Sequence, residues 1–152
     1  DAGNFYSDPT AKVQYPFGIG IQISSNYGHR TPICVGGSCN SGWHAGTDFA
    51  ANEGTPIQAI AAGVVVEASC REGGYGCYVK IEHLIDGVKV ESVYAHMVHG
   101  SSPLTVGQVV EVGDLVGEVG NTGFSRGAHL HFELYVNGKT VDPMGWDKWN
   151  SR

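Results

Sequence analysis

Two segments of the chain carry imidazole and carboxylate groups at spacings that could hold a metal ion. In Ala128-His129-Leu130-His131-Phe132-Glu133-Leu134-Tyr135-Val136, apolar residues alternate with polar ones. Extended backbone sends successive side chains to opposite faces, so Leu130, Phe132, Leu134 and Val136 share a buried face and His129, His131, Glu133 and Tyr135 share the other. The two histidine Cα atoms then lie about 6.5 Å apart, close enough for one ring to hold a metal while the other reaches water bound to it. In Gly42-Trp43-His44-Ala45-Gly46-Thr47-Asp48-Phe49-Ala50, His44 and Asp48 are four apart and share a face whether the backbone is helical or extended. Together with one imidazole from the strand, at His131, they form a set of two nitrogens and one oxygen. Three protein ligands leave a fourth tetrahedral position open, which separates a catalytic zinc from a closed structural one. Zinc so held lowers the pKa of water from about 15.7 to about 7 and polarises a carbonyl, so amide hydrolysis is the chemistry this set supports. Each segment alone has a plainer explanation, as two histidines on a wet sheet face or an Asp in a turn. Their joint presence points to the metal.

Such a site needs elements that bring residues 44–48 beside residues 129–131. Phe17 to Ser24 alternates apolar with small or polar residues and predicts a strand; Ser25 to Trp43, rich in Gly, Ser, Asn, Pro and Cys, has no period and reads as a long loop. Strands are expected within Pro56–Glu67, Cys77–Glu82, Val88–His96 and Leu130–Val136. The Val-and-Gly repeat from Val106 to Gly120 suits tight antiparallel turns. No window keeps a helical apolar period over three turns, so the fold class is all-β with few, short helices. Gly113-Asp114-Leu115-Val116-Gly117 also resembles the hairpin of biotinyl and lipoyl carrier domains, but no Lys lies between Lys89 and Lys139 to carry such a group.

Length and composition agree. A chain of 152 residues is one domain's worth, and its 16% charged residues and 23 glycines favour strands and turns. The formal charge of −6, with no Lys/Arg cluster, excludes nucleic acid and anionic membrane surfaces as expected partners. No apolar run approaches the roughly 18 residues of a membrane span, and the opening Asp1-Ala2-Gly3-Asn4 is not a signal peptide, so an exported chain would be a mature or excised form. The four cysteines fall into two local pairs, Cys34 with Cys39 and Cys70 with Cys77, which predict two short-loop disulfides and an extracytoplasmic home. A four-cysteine zinc site is the competing reading, and the gap after Cys70 fits its usual ligand spacing poorly.

These residues carry a wider resemblance. His44-x-x-x-Asp48, His129-Leu130-His131, Ser25-Asn26-Tyr27-Gly28-His29-Arg30, Gly54-Thr55-Pro56-Ile57 with Ala61-Ala62-Gly63, Tyr94-Ala95-His96-Met97, Gly113 to Gly117 and Gly120 to Ser125 together resemble the lysostaphin/LytM-type zinc metalloendopeptidases, which cut cell wall. The likeness extends from about Phe17 to Trp146. It implies a compact antiparallel β-sheet sandwich with a narrow zinc-containing groove, one zinc ion on His44, Asp48 and His131, and His96 and His129 as catalytic groups that do not bind the metal. Tyr27 matches a tyrosine at the groove edge, where its phenol could donate to an oxyanion; a turn-packing aromatic is the alternative. His29, His83 and His99 match no ligand position and are expected to be solvated or supporting, as is Glu133. Arg30 could pair with a substrate carboxylate or with an acid of the protein. The cysteines depart from the family pattern and would stiffen loops that wall the groove.

The expected organisation is a lead-in over 1–16, a catalytic domain over 17–146 and a tail over 147–152. The expected function is zinc-dependent hydrolysis of peptide bonds in bacterial peptidoglycan by a secreted, monomeric enzyme. Two alternatives stand beside it, a wall-binding or activator module without catalysis, and the same chemistry on Gly-rich proteins such as elastin.

Overall fold

The computed structural model describes residues 13–17, 22–29, 34–39, 43–123 and 127–149. Its strands are β1 (Gln22–Ser25), β2 (Gly28–His29), β3 (Cys34–Val35), β4 (Ser38–Cys39), β5 (Trp43–His44), β6 (Thr47–Ala50), β7 (Pro56–Gln58), β8 (Gly63–Cys70), β9 (Cys77–Ile85), β10 (Val88–Met97), β11 (Val109–Val110), β12 (Leu115–Glu118), β13 (His129–Val136) and β14 (Lys139–Val141). A 3-10 turn at Pro143–Gly145 follows β14, capped by the Asp142 side chain. The all-β expectation holds.

One large antiparallel sheet runs β1-β6-β13-β10-β9-β8-β11, with β14 pairing the second half of β13. The β9–β10 and β13–β14 hairpins turn at Asp86-Gly87 and Asn137-Gly138, where both residues of each turn have positive φ, as right-twisted strands favour. A two-stranded ladder of β7 with β12 lies over one face. Between the layers, Phe49, Leu130, Phe132, Tyr94, Ile81 and Val65 of the sheet pack with Ile57, Ile60, Val116 and Val119. Each such side chain contributes roughly 1.5–3 kcal/mol on burial. This core holds the sheet's register. On the opposite face a smaller cluster of Tyr78, Val93 and Ala95 packs with Tyr75 and Tyr135.

The alternation expected for β13 is present, with Leu130, Phe132 and Leu134 fully buried in the core. The stretch 25–43, expected as one loop, instead contains two small ladders, β2 with β5 and β3 with β4. Strands of two residues are too short to leave a readable period. Cys70 and Cys77 stand opposite each other at the end of the β8–β9 ladder and are joined by a disulfide. Cys34 is the register partner of Cys39, whose side chain lies outside the described residues. Residues on both sides of the expected domain boundaries join the core: Val13 is buried, and Trp149 packs on Phe132 and stacks on Tyr15.

His83, expected to be solvated or supporting, is a core residue. Its Nδ1 lies 2.8 Å from the Ala62 carbonyl and its Nε2 lies 2.8 Å from Ser92 Oγ. Ser92 Oγ in turn lies 2.8 Å from the Tyr94 hydroxyl. Burial drives the His83 pKa down from 6.5 to about 4, with the Ala62 hydrogen bond opposing only in part. The folded state therefore prefers the neutral ring. That stability is present above pH 6.5 and is lost as pH falls from 6.5 toward 4, by about 3 kcal/mol. In urea unfolding, the wild type should lose this increment between pH 7 and pH 4, and His83→Gln should show a correspondingly shallower loss.

Gly46 sits in the turn between β5 and β6, where the main chain of β13 passes closely. An added Cβ would run into the Phe132 carbonyl and come within 2.9 Å of Glu133 Cγ. Gly46→Ala is expected to cost about 1–3 kcal/mol. Because the strain falls between His44, Asp48 and β13, the urea midpoint should drop accordingly.

Candidate active site

Sheet register brings the expected site residues together. Asp48 of β6 is the direct partner of His131 of β13, and His131 is the direct partner of Ala95 of β10. Cross-strand partners share a face. His44 joins through the two-residue turn that separates β5 from β6. The resulting donor atoms are mutually close: His131 Nδ1 to Asp48 Oδ1 is 2.8 Å, and His44 Nε2 lies 3.2 Å from both Asp48 Oδ1 and His131 Nδ1.

The outer nitrogens of the two imidazoles decide what the inner ones can be. His44 Nδ1 lies 2.8 Å from the Asn26 carbonyl, which can only accept, so Nδ1 carries the hydrogen. His131 Nε2 likewise donates to Glu133 Oε2 at 2.8 Å. His44 Nε2, His131 Nδ1 and the Asp48 oxygen are then three acceptors aimed at one point. A divalent cation satisfies that arrangement, and two nitrogens with one carboxylate form the open donor set of catalytic zinc. A proton can partly stand in for the cation. Burial works to lower the His131 pKa, but the hydrogen bonds and charges of Asp48 and Glu133 outweigh it and raise it to about 9. For Asp48, burial works upward, and hydrogen bonds from His131 and His44 with the charge of His131 pull it far below the ordinary carboxylate range.

His96 and His129 flank this cluster. His129 precedes His131 by two on β13, and its Nε2 lies 3.6 Å from Asp48 Oδ1. Strict alternation after Ala95 would turn His96 into the core. A bulge between Tyr94 and Met97 prevents this, and His96 adopts φ 62°, so that Ala95 and His96 both face the site while Met97 returns to the core. A left-handed backbone at a non-glycine residue costs about 1–2 kcal/mol. Three hydrogen bonds around the bulge offset that cost: His96 N–H to the Tyr75 carbonyl at 2.7 Å, His96 Nδ1 to the Thr122 carbonyl at 2.6 Å, and Val98 N–H to the Glu118 carbonyl at 3.0 Å. His129 Nδ1 similarly donates to the Gly127 carbonyl at 2.7 Å. With Nδ1 so engaged, the neutral form of either ring presents Nε2 as an acceptor. The rings lie 4.9 Å apart, and His96 is 5.7 Å from the His131 ring. Burial, followed by the charges of His131 and His129, lowers the His96 pKa to about 4 and keeps the ring neutral at pH 7.

Other expected residues are placed differently. The Tyr27 hydroxyl lies 3.3 Å from both the carbonyl and Oγ1 of Thr140, and its ring meets Trp43 edge-on, which is the packing role of a turn aromatic. Glu133 supports the site and is not exposed: only 4% of the residue is accessible, and it holds His131, Tyr75 and Tyr135. His99 stands beside Cys70 and Cys77, but those sulfurs are consumed in their disulfide. Arg30 and the His29 side chain lie outside the described residues. Tyr75 escaped the sequence reading. It lies within a Gly-rich loop with no pattern of its own, and only the Cys70–Cys77 pairing hinted that this loop is held in place.

The same arrangement links the chain to known proteins. A family model described as Peptidase family M23 matches residues 42–143. The chain is 42% identical over 127 residues to the DD-carboxypeptidase/endopeptidase Mpg of Neisseria meningitidis, a match covering 81% of this chain and 26% of that relative's length. Among solved structures, a zinc containing peptidase from Vibrio cholerae superimposes with a TM-score of 0.75 at 31% identity, covering 91% of this chain and 41% of the other. The catalytic domain of the antimicrobial peptidase lysostaphin from Staphylococcus simulans does so with 0.68 at 34% identity, covering 82% and 90%. All five histidine and aspartate positions of the cluster and its flanks fall inside the family match, and the chain belongs to peptidase family M23, a family of metallopeptidases.

Proposed function

We propose that this chain is the catalytic unit of a zinc-dependent endopeptidase that cuts the peptide part of bacterial peptidoglycan outside the cytoplasm, at stem-peptide cross-links or glycine bridges. The observation that carries the reading is the three-acceptor cluster of His44 Nε2, Asp48 Oδ1 and His131 Nδ1, spaced 2.8–3.2 Å, with an imidazole acceptor on either flank. The likeness to a DD-carboxypeptidase/endopeptidase and to an antimicrobial peptidase supports a wall peptide as substrate. Among the described residues no helix is long and apolar enough to cross a membrane. The unit works as a monomer.

His44, Asp48 and His131 would hold one zinc ion. When bound there, zinc would supply Lewis-acid polarisation of a carbonyl and lower the pKa of water toward neutrality. The chain handles the protons. His96 and His129 share the tasks of accepting the proton from the attacking water and returning it to the leaving amine, each through Nε2. Their Nδ1 bonds to the Thr122 and Gly127 carbonyls fix that tautomer before substrate arrives. An imidazolium formed at His129 is stabilised by the Asp48 carboxylate 3.6 Å away. Tyr27 packs beside Trp43, with its hydroxyl engaged by Thr140.

Purified protein should carry one zinc per chain and solubilise isolated cell wall; a chelator should abolish this and added zinc restore it. His131→Ala should lose both metal and activity. His129→Ala and His96→Ala should keep the metal while activity drops by about 10²–10⁴-fold. Full wall hydrolysis by His131→Ala or His129→Ala would overturn the assignment, and chelator-insensitive function would mean a binding module. Digesting elastin in parallel separates a wall enzyme from a Gly-rich protein peptidase, and mass spectrometry of released fragments identifies the bond cut.

A further inference from the structure

Behind the donor cluster stands a layer of polar contacts that the proposed reaction does not use. Glu133 follows His131 by two along β13 and turns its carboxylate toward the outer nitrogen of that ring, with its side chain only 6% exposed. Oε2 accepts from His131 Nε2 at 2.8 Å. Oε1 accepts from two phenols, Tyr75 at 2.5 Å and Tyr135 at 2.9 Å. A carboxylate offers no hydrogen of its own, so all three partners must donate. Both oxygens are thereby fixed, and the carboxylate cannot rotate away from the ring.

We propose that Glu133, clamped by Tyr75 and Tyr135, is a positioning residue that fixes the tautomer and angle of His131 and so sets how tightly the site retains its metal. The inference rests on the proposed zinc-binding role of His131. The clamp reaches further through Tyr75. This residue lies in the loop closed by the Cys70–Cys77 disulfide, and its main-chain carbonyl accepts from His96 N–H at 2.7 Å. At the end of the same loop, Cys77 N–H donates to Thr122 Oγ1 at 3.0 Å, while the Thr122 carbonyl holds His96 Nδ1 at 2.6 Å. The phenol of Tyr75 therefore acts on the metal-holding half of the site and its backbone on the proton-handling half. Removing the hydroxyl alone separates the two.

Metal affinity can be read without turnover, by competing the purified full chain against a chromophoric zinc chelator at pH 7.5. Glu133→Gln, which keeps the shape and removes the charge, should weaken zinc binding by about 10–100-fold. Tyr75→Phe should weaken it less, in the same direction, and leave the His96 main-chain contact in place. Because Tyr75 acts through Glu133, the double variant should bind no more weakly than Glu133→Gln alone. Unchanged affinity in Glu133→Gln and Tyr75→Phe, or losses that simply add in the double variant, would overturn the proposal. Tyr135→Phe offers the same comparison if Glu133→Gln fails to fold, which the thermal midpoint of the metal-free protein reports. Parent protein that binds no zinc would instead defeat the proposed function.

Discussion

Three electron-rich atoms from two separate parts of the chain are held within 2.8–3.2 Å of one another, and this is the constraint on which the rest of the site depends. Lone pairs brought this close repel unless a positive charge sits among them, so the arrangement persists only if the scaffold is stiff and a cation or proton is available. Stiffness comes from the sheet. Asp48 and His131 are direct partners across the β6–β13 ladder, and the residues alternating with them, Phe49 and Phe132 among them, are buried in the core. Shifting either strand by one residue would exchange the polar face for the apolar one, so core packing and site assembly are the same choice of register.

The positions that do not follow the ladder are those where the chemistry demands more than alternation provides. Placing Ala95 and His96 on one face requires an extra residue, a left-handed backbone and neighbours that hold it there. The disulfide-closed loop 70–77 and the Thr122 region supply those neighbours. Cys70 and Cys77 thus brace the wall against which the flanking histidine leans. Their contribution is positional and sits close to the reacting groups.

How much of this was legible in the sequence follows from the range of each interaction. Alternation in 129–136 named the buried and site faces of β13 because the period is local. His44 and Asp48 were legible because four residues and one turn suffice to align them. The bulge at His96 was not legible from local patterning, since its cause is a hydrogen bond to Tyr75, some twenty residues away in sequence; only the Tyr-x-His resemblance marked the residue. Glu133 could be placed on the correct face but not identified as buried, because its burial depends on Tyr75 arriving from another loop. Val13 and Trp149 join the core although they lie in segments whose sequence shows no period. The ladders hidden within 25–43 are too short to declare themselves.

His83 and His131 together show why residue type alone assigns so little. Desolvation pushes both toward the neutral form. Around His83 the partners are a carbonyl and a hydroxyl, which carry no charge, so desolvation wins and the ring stays neutral. Around His131 one nitrogen meets Glu133 and the other Asp48, and two carboxylates outweigh desolvation. The first environment stabilises a fold and the second attracts a cation. What distinguishes them is the charge of the acceptors that the sheet brings to each ring, a property of register that no single segment of the chain contains.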